Sequence, residues 1–366
     1  MRIAYDHQIF GWQKYGGVSR YFYEIASRMP AVCKCDVRIY SPVFVNRYLK
    51  ENTPPYVVGI PFITIPKSGR AIQIINSHLV RYLLHRDMPD VLHETYYYEK
   101  RLAHRKTKTV LTVYDMVHEK FAQYFRSGDK TRLMKKEAVK RADHIICISE
   151  NTRQDLIEIL DADLKKTTVV YLGNAITPAK MVESGRLVAQ PYIAYVGLRR
   201  GYKNFSKLLH AYASSELLKK NYIVACFGGG RLNESENREI ADLKIPSDAV
   251  IHLEGDDNDL AAFYRYAEIF VYPSFYEGFG MPPLEAMSFD CPVACSKVSS
   301  IPEVVGNAGA YFDPDDIDDM RTAIEMIVSD EALRMRLIAA GRERIKEFSW
   351  DKCASETLNV YKKVVS

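Results

Sequence analysis

Apolar positions along the chain fall into two recurring patterns, short runs of β-branched and aromatic residues and longer stretches spaced by three and four. Ile3 to Tyr5, Val110 to Tyr114 and Ile269 to Tyr272 are continuous β-branched, aromatic and apolar runs, with Thr112 alone polar, which marks strands buried on both faces. Between them, Val18, Tyr21, Phe22, Ile25 and Met29 line one face of a helix. CDVRIYSP, PDVLHETYYYEK and IICIS continue the strand series, and the helix in SENTRQDLIEIL is expected to start at a cap, Ser149 or Asn151. The second half repeats the alternation through IAYVG, FSKLLHAYASSELLK, YIVACFGGG, VIHLEG, LAAFYRYA and EIFVYPSFYEGFGMPPLEAM. Such alternation predicts parallel sheets covered by helices, an α/β fold.

The periodicity lapses at Gly173-Asn174 and Pro178 and resumes near Gln190. With 366 residues, more than one ordinary core accommodates, this predicts a first domain at 1–174, a linker at 175–190, a second domain at 191–348 and a closing helical segment at 349–366. Charge separates the halves. Residues 1–174 hold 28 Lys and Arg against 18 Asp and Glu, and the remainder 22 against 28. The densest basic stretch, Arg126 to Arg141, reads either as a solvated helix face or as a patch offered to an anionic membrane surface. No apolar run reaches spanning length and MRIAYDHQ opens as a strand, so a cytoplasmic protein is expected, and the membrane reading of those bases would add peripheral attachment at the inner face. Seven scattered cysteines without a C-x-x-C predict buried thiols and neither a disulfide framework nor a zinc site.

Chemistry concentrates where strands meet glycines. After Ile269 to Tyr272 comes a loop with Gly278 and Gly280, then a helix beginning near Met281 and Leu284. Helix-leading amides lack intrahelical acceptors and carry the positive end of the dipole, so this junction suits a diphosphate. Glu277 and Glu285 frame it. Carboxylates repel phosphate, so hydroxyl groups on either side of a diphosphate are their natural partners, and a ligand of that description is a nucleotide sugar. A βα turn with helix-capping glutamates is the plainer reading of the same residues. Gly16-Gly17 makes a second glycine junction after the first strand. Arg199 and Lys203 in GLRRGYKNF add a planar fork and a point charge. Asp115 and His118 follow the strand Val110 to Tyr114, while Tyr96, Tyr97 and Tyr98 are either packing residues or flat faces for a sugar.

EGFGMPPLEAM resembles the E-x7-E signature of the retaining family 4 (group 1) glycosyltransferases, and SSIPEVVGNAGAYFDPDD is similar to their continuation. YGGVSRYFYEIA, KTVLTVYDMVHEKF, GLRRGYKNF and FSWDKCASETLNVYKKVV are also similar to segments of that family, although Tyr114 stands where a histidine is usual. The resemblance implies a GT-B fold, two Rossmann-like domains facing a central cleft, with the last helix crossing back to the first domain. It implies Glu277 on the donor hexose together with the backbone of Gly278, Phe279 and Gly280, Glu285 on the ribose, and the Met281 and Leu284 amides on phosphate. Gly16, Gly17, Arg199 and Lys203 would hold the diphosphate, Glu254 and Asp256 the nucleobase, and Asp115 or His118 would supply a polar contact beside the donor sugar. The implied enzyme is a metal-independent hexosyltransferase without a cofactor, acting with retention on a UDP-glucose or GDP-mannose type donor, UDP slightly favoured, and on a glycan or lipid-linked glycan acceptor in polysaccharide biosynthesis. No nucleic acid partner is implied. A sugar-nucleotide 2-epimerase and a noncatalytic sugar-nucleotide sensor are the alternatives within reach of the same residues.

Overall fold

A computed structural model describes residues 1–51, 53–62, 69–174, 176–178 and 185–366. Residues 175 and 179–184 of the expected 175–190 linker therefore lie outside the described residues. The chain forms two compact units, Met1–Gly173 with Trp350–Ser366, and Asn174–Ser349.

The first unit is built on a parallel sheet of seven strands, β1 (Arg2–Tyr5), β2 (Asp36–Phe44), β3 (Val57–Pro61), β4 (Val91–Glu94), β5 (Lys108–Val113), β6 (His144–Cys147) and β7 (Thr167–Val169), in the order β3-β2-β1-β4-β5-β6-β7. The second holds six, β8 (Tyr192–Val196), β9 (Ile223–Phe227), β10 (Val250–Leu253), β11 (Ile269–Tyr272), β12 (Val293–Ser296) and β13 (Gly309–Phe312), in the order β10-β9-β8-β11-β12-β13. Both are doubly wound, and in each the winding reverses beside the first strand, between β1 and β4 and between β8 and β11. Ligands of open parallel sheets bind outside the carboxyl ends of the strands at such reversals, because the two flanking loops leave in opposite directions.

Helix packing follows the apolar spacing. The helix Gly17–Cys33 buries Tyr21, Phe22, Ile25, Ala26 and Met29. Truncating a fully buried residue such as Ile25 to Ala would cost about 2 to 5 kcal/mol. The helix Trp350–Val365 packs in the first unit, where Tyr361 bonds His93 (2.6 Å) and the Tyr5 hydroxyl (3.2 Å). Ser149 caps the helix Glu150–Leu160 by accepting from the Thr152 amide.

The cysteine expectation needs correction. Cys33 and Cys35 form a disulfide, whereas Cys147, Cys226, Cys291, Cys295 and Cys353 are free and buried. Lys34 adopts a left-handed conformation at the end of its helix (φ 51°), and that turn brings the flanking Cα atoms to 5.2 Å. Among the described residues no helix is long and apolar enough to cross a membrane.

Candidate active site

The best-defined site stands at the winding reversal of the second sheet. The loop after β8 ends in Lys203 and Asn204, and the loop after β11 carries Glu277 to Gly280. Lys203 Nζ reaches both carboxylate oxygens of Glu277, at 2.7 and 2.9 Å. Backbone contacts lock the loops together, since the Phe275 amide donates to the Tyr202 carbonyl (2.8 Å) and the Asn204 side chain to the Pro273 (3.0 Å) and Pro314 (2.9 Å) carbonyls. Asn204 takes a left-handed backbone (φ 58°), which turns the chain straight into the helix Phe205–Ala213.

Glu277 is further framed by residues that the sequence patterns did not single out. Its amide donates to Ser299 Oγ (3.0 Å), and Ser300 Oγ donates to the Glu277 (2.8 Å) and Phe279 (2.7 Å) carbonyls. Ser299 itself sits at φ 50°, a backbone cost of a kind that concentrates at functional loops. Burial and the hydrogen-bonded Glu277 carboxylate hold the Tyr272 phenol well above its ordinary range, so it stays a donor toward that carboxylate. The Ser-Ser pair ahead of Ile-Pro-Glu was visible, but nothing local says which loop it grips.

Gly280 (φ 119°) holds the cap position of the helix Met281–Ser288 and has no side chain to bond its first turn. Pro282 and Pro283 have no amide proton, which leaves Met281 and Leu284 as donors in that turn. The Phe279 ring turns into the protein against Phe348, with centroids 5.7 Å apart. Glu285 lies buried one turn in and accepts from Tyr264 (3.2 Å), whose phenol is held well above its ordinary range first by burial and then by that carboxylate.

Arg199 is engaged elsewhere in the same unit. Its guanidinium bonds Glu236 (2.9 Å) and the carbonyls of Gly228 (3.0 Å), Gly230 (2.6 Å) and Arg231 (3.0 Å). It thereby holds the three-glycine loop after β9, where a Cβ on Gly229 would meet the Gly197 carbonyl oxygen at 2.5 Å. Glu254 and Asp256 follow β10, the edge strand, which β9 and β8 separate from β11. Glu254 is largely exposed beside His252, and Asp256 caps the helix Asp257–Arg265 in a reciprocal box with Asp259. These two are not brought to the Lys203–Glu277 pair.

In the first unit Gly16 caps the helix Gly17–Cys33 without a side-chain bond, and a Cβ on Gly17 would meet nothing within 4 Å. That helix start is already engaged within the chain, because Gln13 Oε1 accepts from the Ser19 amide (3.1 Å) and the Gln13 side chain lies against Gly16. Asp115 and His118 share the turn after β5. Asp115 accepts from the Val117 amide (3.1 Å), and His118 stacks on Phe125 (3.9 Å) with Nε2 3.7 Å from Asp129. Burial lowers the His118 pKa, against the pull of Asp115. Tyr114 turns inward against Tyr21.

The basic stretch from Arg126 to Arg141 is not a uniformly solvated face. Lys135 is completely buried, bonding Glu119 (2.7 Å) and the Asp115 carbonyl (2.8 Å), with Nζ 5.3 Å from the Tyr97 ring centre. Arg141 reaches the buried Glu94 (2.6 Å). Arg132, Lys136 and Lys140 remain exposed. A run of like charges hides this division because burial is decided by which helix face meets the β5 turn.

The described model for glycosyl transferases group 1 matches residues 177–344, and that for glycosyltransferase family 4 matches residues 15–174. O-antigen chain mannosyltransferase B of Escherichia coli is 33% identical over 274 residues, 71% of this chain and 72% of that protein. The chain belongs to the family 4, group 1 glycosyltransferases. Solved structures agree on the GT-B architecture of this glycosyltransferase family. WaaG, a glycosyltransferase involved in lipopolysaccharide biosynthesis, superposes with a TM-score of 0.73 at 16% identity, covering 98% of this chain and 99% of that one. HepE of Anabaena, in complex with UDP-glucose, gives 0.70 at 16% identity over 100% of this chain and 98% of that one.

Proposed function

We propose that this glycosyltransferase moves a hexosyl group, mannosyl in particular, from a nucleoside diphosphate sugar to a hydroxyl of a growing glycan in polysaccharide biosynthesis, with retention at the anomeric carbon. The reading is carried by the Lys203–Glu277 pair, which puts a cation and a carboxylate side by side at the sheet's winding reversal, next to a glycine-capped helix start. The mannosyl assignment is supported by the name of the E. coli relative, and it turns the choice of donor toward GDP-mannose. HepE's UDP-glucose belongs to a protein that shares the fold at 16% identity and carries less weight on this point.

In this mechanism the acceptor hydroxyl attacks the anomeric carbon on the side from which the diphosphate leaves. The bond to the phosphate oxygen breaks ahead of the new bond, and that oxygen takes the hydroxyl proton. Charge growing on the diphosphate is met by Lys203 and by the Met281 and Leu284 amides, already in place before the reaction. Arg199 contributes by holding the Gly228–Arg231 loop. Glu277, released from Lys203 as the diphosphate takes over the ammonium, orients the hexose and balances its positive character, while Glu285 accepts from ribose hydroxyls.

Thermal shift with GDP, GDP-mannose, UDP and UDP-glucose tests the reading. A ligand at 100 times its dissociation constant stabilises by about 2.7 kcal/mol, and GDP-mannose is expected to give the largest rise. Silence with all four would sink the transferase reading. Conversion of GDP-mannose to another nucleotide sugar without acceptor would replace it with an epimerase.

A further inference from the structure

The winding reversal of the first sheet is built as firmly as that of the second, and it presents an aromatic surface. β1 leads into the short helix Gln8–Trp12, and β4 into Thr95 and Tyr96. The buried Asp6 carboxylate stitches the two loops, accepting from the Gln8 amide (3.1 Å), Gln8 Nε2 (2.8 Å) and the Thr95 amide (3.2 Å), and Gln8 Nε2 also reaches the Tyr96 carbonyl (3.0 Å). Gly11 lets the short helix lie close to Asn76, since a Cβ there would come within 2.9 Å of its side-chain nitrogen. Gln8, Ile9, Phe10 and Gly11 are all buried by this seating. Trp12 alone in that helix points out, with 62% of its surface exposed, and Tyr96 stands edge-on to it at 5.5 Å.

An indole left this open forgoes most of the burial that makes tryptophan favourable, so a rigidly held one at a sheet's binding edge is suited to cover by a ligand. A pyranose supplies the matching chemistry. Its C–H face packs on an aromatic ring while its hydroxyls need polar partners, and Asp115 lies in the turn after β5, the strand next to β4. The Tyr96 phenol is kept protonated by burial and by nearby carboxylates, Asp115 first among them, and so remains a donor.

We propose that Trp12, backed by Tyr96, is the platform on which a sugar ring of the acceptor glycan stacks. The proposal rests on the transferase reading above and adds to it a residue that selects the acceptor. Trp12 acts in binding and takes no part in bond breaking.

The chain has only two tryptophans, and Trp350 is 3% exposed. A change in intrinsic fluorescence on ligand contact therefore reports on Trp12. Titrating the full chain with a mannose oligosaccharide is expected to change the emission in wild type and in Trp350→Phe, but not in Trp12→Phe. In steady-state transfer from GDP-mannose, Trp12→Ala should raise the acceptor KM by about fivefold to tenfold, the value of one aromatic contact, with donor KM and donor hydrolysis within about twofold of wild type. Trp12→Phe should recover most of that loss. An acceptor KM unmoved in Trp12→Ala overturns the platform, as does an equal rise in donor KM. Wild-type protein that turns over no nucleotide sugar would instead sink the transferase reading, and the platform with it.

Discussion

The two units wind their sheets in the same order around the first strand yet equip the carboxyl edge differently. In the second unit the reversal holds an ion pair, Lys203–Glu277, beside a glycine-capped helix start, with side chains 20% and 11% exposed. In the first unit the reversal is aromatic, and the nearby charges are sunk beneath it. Lys135 and Glu119 are 0% and 3% exposed, and Glu94 is wholly buried against Arg141. The lesson is that an ion pair's environment, more than its presence, tells what it does. A pair left partly wet at a ligand-binding edge can exchange partners with a substrate, whereas a dry one is committed to holding its loop.

The largest expected effect tests the dry pair. Lys135→Met leaves Glu119 buried without its partner and should cost about 3 to 5 kcal/mol in chemical denaturation. The double variant Lys135→Met with Glu119→Leu should recover most of it. If the single variant is as stable as wild type, the contrast between the two edges collapses. Glu277→Ala should behave oppositely, with a loss of turnover on the order of 10² to 10³ and a stability change of only about 1 kcal/mol. Glu285→Ala should instead weaken nucleoside diphosphate binding by about 1.5 to 3 kcal/mol, read by calorimetry. Equal effects of both substitutions on nucleotide affinity would contradict the separate roles given to the two glutamates.

A smaller effect comes from pH. His93, buried between Tyr361 and Thr112, has its pKa lowered from 6.5 to about 3 by desolvation. Between those values the unfolded chain binds a proton that the folded chain refuses. Stability from this group is therefore complete above about pH 6.5 and is lost as pH falls toward 3, by about 1.4 kcal/mol per pH unit. Denaturation of His93→Gln across that window should show a shallower slope than wild type by this amount, and identical slopes would remove His93 from the account. The smallest effect concerns the exposed bases. Arg132→Glu with Lys136→Glu should weaken low-salt cosedimentation with anionic liposomes, each base being worth about 1 kcal/mol near such a surface. Wild type that ignores anionic and neutral vesicles alike would leave those residues as a solvated face.

Periodicity and punctuation carried much of this protein. Consecutive apolar runs bounded by glycine and proline marked the strands, their alternation with helical spacing dictated parallel sheets, and E-x7-E at a strand–glycine–helix junction located Glu277 and Glu285, because those signals are local and have a fixed period. What stayed hidden depends on contacts between distant segments. The sequence offers both Arg199 and Lys203 to a diphosphate, and only folding commits one to Glu236 and a glycine loop and the other to Glu277. It presents Lys135 as one base in a run, and only the β5 turn packed above it makes it a buried anchor. Ser299, Ser300 and Trp12 look like ordinary loop residues until strand order sets their loops side by side. Chain-local preference decides which elements form; strand order and burial, which couple residues far apart in sequence, decide which side chains meet and which remain free to meet a ligand.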